Sequence, residues 1–232
     1  MDEKLPGYDM PNPDPLERYF ELRERITKRT QDLSQRYSSH LRCRRGCSFC
    51  CEEITVLPLE IEAVRLWLAR NDTSPPGSCD RSDAGTVRSI DRSAAGLFPA
   101  TGTATRCALL GGDGACTVYA GRPVICRTHG LPLAYRVYEY DAKGREVNPD
   151  RPEFMDLWCD LNFSELDEAD CVACFDAHGR INMDTINREL ESLNDEFLRS
   201  PAGRRYVGGG ERLPLRVLRA ATRRNPEESA SR

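Results

Sequence analysis

The sequence predicts an α+β protein in which helices pack around a small antiparallel sheet and irregular loops converge on a metal. Three observations point there. Helical periodicity marks both ends of the chain, short β-like runs around glycine turns fill the middle, and cysteines gather in the connections. Helices and strands in separate runs, without strict alternation, are the pattern of α+β architecture.

The elements follow in order. Asp14 before Pro15 has the form of an N-cap with proline at the first helical position. Leu16, Tyr19, Phe20, Ile26, Leu33, Tyr37 and Leu41 then recur at near-helical spacing, predicting a helix to about Leu41 with a charged opposite face. CRRGCSFCC, residues 43–51, is too dense in cysteine for regular structure and is expected as a tight loop, with Gly46 free to take unusual backbone angles. ITVLPLEIEAVRLWLAR reads as a short extended piece and a helix from about Pro58, with Ile61, Val64 and Leu68 on one face. Residues 71–85 read as an exposed loop holding Cys79, with a weak helix to about Ala95.

RCALL and ACTVY around GGDG predict one hairpin, and RVYEY and REV around DAKG another. GRPVICRTHGLP between them is expected to be irregular, because Pro123 and Pro132 oppose a long element. WCDLNF and CVACFDAHG follow. A last helix is expected from about Asp184 to Arg199, with Ile186, Leu190, Leu193 and Phe197 on one face. The organisation is a flexible N-terminus over 1–13, a cysteine-cluster metal-binding domain over 14–199, and an arginine-rich, partly disordered tail over 200–232, ordered at LPLRVL.

Composition narrows the class. The chain has 232 residues, enough for one domain with a core, and 39% hydrophobic with 30% charged residues suits a soluble protein. A net charge of -4 gives no general attraction for nucleic acid or anionic membrane. No apolar run reaches membrane-spanning length. The start MDEKLPGYDMPNPDP has neither the basic nor the apolar region of a secretory signal, so a cytoplasmic location is expected. Disulfides are rare in that reducing compartment, and clustered thiols there are usually metal ligands. There is no GxxxxGK[ST] loop, no HExxH and no GxSxG elbow. Gly111, Gly112 and Gly114 fit a hairpin turn better than a phosphate loop, since no helix pattern follows them.

Eleven cysteines carry the chemistry. Cys43, Cys47, Cys50 and Cys51 fall within nine residues, at spacings that let a turn aim successive sulfurs at one point. Arg42, Arg44 and Arg45 would offset the thiolate charge. In extended backbone the adjacent Cys50 and Cys51 point to opposite sides, so one of them serves a different metal, bridges two, or stays outside the ligand shell. A second group, Cys107, Cys116 and Cys126, lies near turns, where ligands are usually offered; its alternative reading is three small core residues. A third, Cys159, Cys171 and Cys174, has a metal-like C-x2-C pair with His178 beyond it, a spacing that also suits a dithiol redox pair. His129 reads as a surface or hydrogen-bonded histidine, and Cys79 as a free thiol.

CRRGCSFCC followed by CALLGGDGACTVYAGRPVICRTHGLPL resembles the zinc- or iron-chelating CxxCxxCC family, also described as YkgJ-family cysteine-cluster or iron–sulfur-cluster-containing proteins. The match spans roughly residues 43–133, and WCDLNF extends it. The resemblance implies that Cys43, Cys47, Cys50, Cys51, Cys107, Cys116 and Cys126 bind metal together, and that Arg122, Pro123 and Arg127 belong to the signature. Pro123 would stiffen the approach to Cys126, and Arg122 and Arg127 would hydrogen-bond sulfur or an anion as cofactor-binding residues. Flagellin lysine methylase carries a similar cluster, which brings protein modification into view; this chain has no long additional catalytic domain.

The expected function is a metal-binding protein holding an iron–sulfur cluster or iron, with a redox or modification role. The alternative is a zinc-stabilised binding module, in which zinc contributes folding energy directly. Cys43-x3-Cys47-x2-Cys50 also has the spacing of radical S-adenosylmethionine enzymes, but the flanking elements do not alternate strand and helix as a barrel requires. The expected partner is a metal ion or cluster, without membrane or nucleic acid.

Overall fold

The computed structural model describes residues 14–44, 46–71, 106–147, 149–176, 178–206 and 212–218. The expectations for residues 1–13, for Cys79 and its loop, for the weak helix to Ala95 and for the end of the tail lie outside the described residues.

The first helix, α1 (Pro15–Arg36), begins as the sequence indicates: Asp14 is the N-cap, its carboxylate accepting from the Leu16 N–H at 2.8 Å, with Pro15 behind it. It ends five residues before Leu41. Tyr37 caps it by donating its backbone N–H to the Leu33 carbonyl, and Ser38 and Ser39, poor helix formers, carry the chain into a turn. The strand β1 (Thr55–Val56) leads into α2 (Pro58–Arg70), close to its expected start.

Beyond residue 105 the chain is more broken than its strand signals suggest. The expected 107–118 hairpin is reduced to one bridge, Leu110 to Cys116, supported by the Thr117 N–H to the Leu109 carbonyl. The segment expected to be irregular contains a short helix, α3 (Val124–Thr128), started by Pro123 at its N-cap. The strand β2 (Leu133–Val137) pairs antiparallel with β3 (Glu153–Leu157), while the DAKG turn closes only a small loop through the Tyr140–Glu146 bridge. Then come α4 (Glu168–Cys174), β4 (Ile181–Asn182), α5 (Met183–Arg199) and β5 (Leu213–Pro214).

The class is α+β. Among the described residues the strands form two small sheets: β1 pairs antiparallel with β5, and β3-β2-β4 is mixed, because β4 runs parallel to β2. LPLRVL thus returns to close the strand that precedes α2. No helix among the described residues is long and apolar enough to cross a membrane.

Three apolar clusters hold these elements. Tyr19, Leu22 and Ile26 of α1 meet Leu59 and Ala63 of α2, Val124 of α3, and Leu190, Leu193 and Phe197 of α5. Leu33, Tyr37, Phe163, Phe175, Ile181 and Met183 form the second cluster. The third gathers Val56, Ile61, Val64 and Leu68 with Leu109, Val118, Leu215 and Leu218. Cys107, Cys116 and Cys126 pack against that third cluster.

One buried carboxylate ties α3 to α2. Glu60 is 1% exposed and accepts from the backbone N–H of Leu57 at 3.2 Å and of Val124 at 3.0 Å. Burial pushes its carboxyl upward, and the two N–H donors pull it back. Glu60→Ala leaves two buried donors unmade, each costing about 1–3 kcal/mol. A fall in the denaturant midpoint of that overall size is expected, and an unchanged midpoint would show that Glu60 does not hold α3.

Candidate metal centre

Cys47, Cys50 and Cys51 sit on two consecutive tight turns, and Cys43 immediately precedes the first. Cys47 N–H donates to the Arg44 carbonyl at 2.9 Å, and Cys51 N–H donates to the Ser48 carbonyl at 3.0 Å. Gly46 has φ +88, the left-handed conformation anticipated for this loop. The second turn is stitched to a distant segment: Cys107 N–H donates to the Cys51 carbonyl at 3.0 Å, and Glu52 bridges Arg106. Residues 51 and 107 therefore share one short ladder despite the length of chain between them.

The sulfurs divide into two groups. In the first, Cys43 has the thiols of Cys159, just beyond β3, and Cys47 as neighbours, and its sulfur accepts from the Asn162 amide at 3.3 Å. These neighbours, Cys159 foremost, pull the Cys43 thiol down to about 6 against the opposing effect of burial. Cys159 is correspondingly raised. Cys50 adjoins both groups: Cys51 and His129 are its neighbours and its charge reaches Cys159, and the Cys51 thiol together with burial lifts it to about 12.

In the second group, Cys126 on α3 is pushed up first by burial and then by the neighbouring charges of Cys107 and Cys116. Cys116 is raised by burial and eased downward by the Val118 N–H and the Arg122 charge. Cys51 is lowered by the bond from Cys50 while feeling Cys107, Cys126 and Cys116. The adjacent Cys50 and Cys51 thiols thus meet each other, with His129 on the Cys50 side and Cys107, Cys126 and Cys116 on the Cys51 side. Among the described residues no group of three or more His, Cys, Asp or Glu side chains is placed to hold a metal ion. The thiols are neighbours whose charges, when ionised, repel one another.

Asn162, 1% exposed, is the clamp behind Cys43. Its Oδ1 accepts from the backbone N–H of Arg42 at 2.7 Å and of Cys43 at 3.2 Å. Its Nδ2 donates to the Gly130 carbonyl at 2.6 Å and to Cys43 Sγ at 3.3 Å. Gly130 has φ +96, and a Cβ added there would stand 2.9 Å from Cys43 Sγ and 3.4 Å from Asn162 Nδ2. Nothing in the sequence singles out Asn162 or Gly130, although WCDLNF extends the resembling segment. His129, which reads as a surface or hydrogen-bonded residue, lies beside Cys50 and so neighbours the sulfurs.

The remaining site residues stand differently. Arg122 lies 3.7 Å over the Tyr119 ring and donates through Nε to the Tyr119 carbonyl at 3.0 Å. Arg127 spends its fork on the carbonyls of Arg122 and Ala120 and on Thr27 Oγ1. Neither makes a hydrogen bond to sulfur among the described residues; Arg122 acts on Cys116 and Cys126 through its charge. Cys171 is buried in the second apolar cluster with its Sγ facing the Phe163 carbonyl, and Cys174 is exposed at the end of α4. The charges Cys171 feels are those of Cys174, Asp167, Asp170 and Glu165.

The CxxCxxCC family, described as a "Putative zinc- or iron-chelating domain", matches residues 42–159, half of the chain. The chain belongs to the CxxCxxCC family. No curated protein and no solved structure matches it. The matched range begins one residue before Cys43 and ends at Cys159, so both sulfur groups fall inside the family's extent, whereas α4, with Cys171 and Cys174, lies beyond it.

Gly130→Ala should displace the Cys43 sulfur and lower bound metal per chain at least severalfold. Gly112→Ala, where an added Cβ meets nothing within 4 Å, should leave metal content unchanged. Equal metal content in the two variants would show that the Gly130 cradle does not set the site.

Proposed function

We propose that this protein holds metal in two thiolate centres. The first is made by Cys43, Cys47 and Cys159 with Cys50 and His129 alongside, the second by Cys51, Cys107, Cys116 and Cys126. The observation that carries this reading is that Cys43 has Cys159 and Cys47 as neighbours while Cys126 has Cys107 and Cys116, with the mutually contacting Cys50 and Cys51 between the two groups. Metal binding requires thiolates, and a Cys43 thiol already drawn down to about 6 is suited to ionise. The second group starts in the opposite state, since burial raises Cys126 and Cys116. There a cation would supply the charge compensation that the apolar surroundings lack.

An iron–sulfur cluster or iron is the favoured content, on the number of thiols and the adjacent cysteine pair. Such a centre supplies one-electron transfer when bound. A redox or protein-modification role is consistent with it. The chain's own part is to fix sulfur positions through Asn162 and the two turns, and to offset charge through Arg122. Zinc is the second reading, favoured specifically by His129 beside Cys50, because mixed nitrogen and sulfur sets are typical of structural zinc. Cys171 and Cys174 are assigned to neither centre in this proposal; Cys171 packs in the second apolar cluster.

The test is metal and acid-labile sulfide analysis on strictly anaerobically purified protein. Brown protein with iron and sulfide is expected, and colourless protein with stoichiometric zinc and no sulfide selects the second reading. Cys47→Ala and Cys126→Ala should each lose part of the metal and lower solubility, while Cys171→Ala and Cys79→Ala should keep the wild-type metal content. Equal metal content in all four variants would reject both centres.

A further inference from the structure

Tyr19, Arg23 and Thr27 are spaced four residues apart on α1, and such positions share one helix face. That face packs against α3. Tyr19 and Val124 lie in the same apolar cluster, and Arg127 of α3 donates through Nη1 to Thr27 Oγ1 at 3.1 Å. Thr27 Oγ1 in turn donates to the Arg23 carbonyl at 2.8 Å.

Two members of this stripe are unsatisfied. Tyr19 is 0% exposed, yet its hydroxyl has no hydrogen-bond partner among the described residues. Nε and Nη1 of Arg23 are buried and unpartnered in the same sense. Buried polar atoms without partners are rare in folded proteins, and each calls for an explanation such as a bound ion or water.

Charge narrows the explanation. Arg23 and Arg122 both act on Arg127, which is lowered first by burial and then by their charges. Beyond burial, the Tyr19 hydroxyl feels Glu60 first, then Arg23 and Arg127, and Cys126 last. None of the three arginines has an ion-pair partner among the described residues. The nearby Glu60 is occupied by two backbone donors, and Glu24 is an exposed, weaker influence. Arg23 is half-buried, with its guanidinium carbon 4.9 Å from the Phe20 ring centroid. Guanidinium groups only donate, and their fork matches the oxygens of an anion.

We propose that the niche between α1 and α3 binds a small inorganic oxyanion of the phosphate or sulfate type. The Arg23 fork and the Tyr19 hydroxyl donate to it, and Arg122 and Arg127 hold it by charge. Tyr19 and Arg23 lie outside the matched range 42–159, while Arg122 is shared with the charge balance of the second sulfur group.

The test is calorimetric titration of the full chain with inorganic phosphate and with sulfate, against acetate and chloride at matched ionic strength. Saturable phosphate or sulfate binding is expected, with acetate and chloride at least about tenfold weaker. Arg23→Gln should weaken it by about tenfold or more, and Tyr19→Phe by several-fold, as expected for lost bonds to a charged ligand. Both variants should keep wild-type circular dichroism and metal content, which separates this site from the sulfur groups. Arg23→Lys keeps the charge without the fork and should fall between wild type and Arg23→Gln. No saturable heat with either oxyanion, equal binding of chloride or acetate, or wild-type affinity in both Arg23→Gln and Tyr19→Phe would overturn the proposal.

Discussion

The backbone hydrogen bond from Cys107 N–H to the Cys51 carbonyl, with the Glu52–Arg106 bridge and the Arg106 Nη2 bond to Ser48 Oγ, joins the first cysteine loop to the segment that carries the next two cysteines. The ladder it belongs to sets Cys51 among Cys107, Cys116 and Cys126, while the turn geometry leaves Cys50 to His129. Cys50 and Cys51, each the other's strongest neighbour, stand where the two sulfur neighbourhoods meet. The rest of the fold positions other segments around that division. Glu60 pins α3 and so places Cys126, while β3 ends just before Cys159 and delivers it to Cys43.

The groups behind the sulfurs are as specific as the sulfurs themselves. Asn162 joins three stretches of chain with one side chain, contacting Arg42, Cys43 and Gly130. Its amide also reaches the Cys43 sulfur, the kind of outer contact that orients a ligand and stabilises its ionised form. Gly130 leaves room for that sulfur because it has no Cβ. These features cost little sequence signal, since one asparagine and one glycine are common residues.

What was legible in the sequence follows from physics that acts locally. The Asp14–Pro15 cap, the start of α2 near Pro58 and the apolar face of α5 depend on near neighbours, and these helices form close to where the pattern places them. The cysteine spacing and the left-handed Gly46 turn were equally local. What was not legible depends on contacts made at long range. Tyr37 ends α1 early, where its hydroxyl lies 3.0 Å from the carbonyls of Cys174 and Gly179, more than a hundred residues away. REV is drawn into a small loop, and EFMDL, carrying no strong strand signal, becomes the antiparallel partner of β2. The parallel addition of β4 likewise has no local signature, because it is fixed by packing in the second apolar cluster. Likewise, the bond between His129 and Cys50 appears only once α3 is folded against the first loop.

The central claim is that sulfur atoms from separate stretches of chain surround a metal. X-ray absorption at the metal edge of the anaerobically purified full chain tests it most directly. A first shell dominated by sulfur, at about 2.3 Å as thiolate bonds to such metals require, is the predicted result. A shell made only of oxygen and nitrogen, or protein carrying no metal after reconstitution with iron and with zinc, would contradict it.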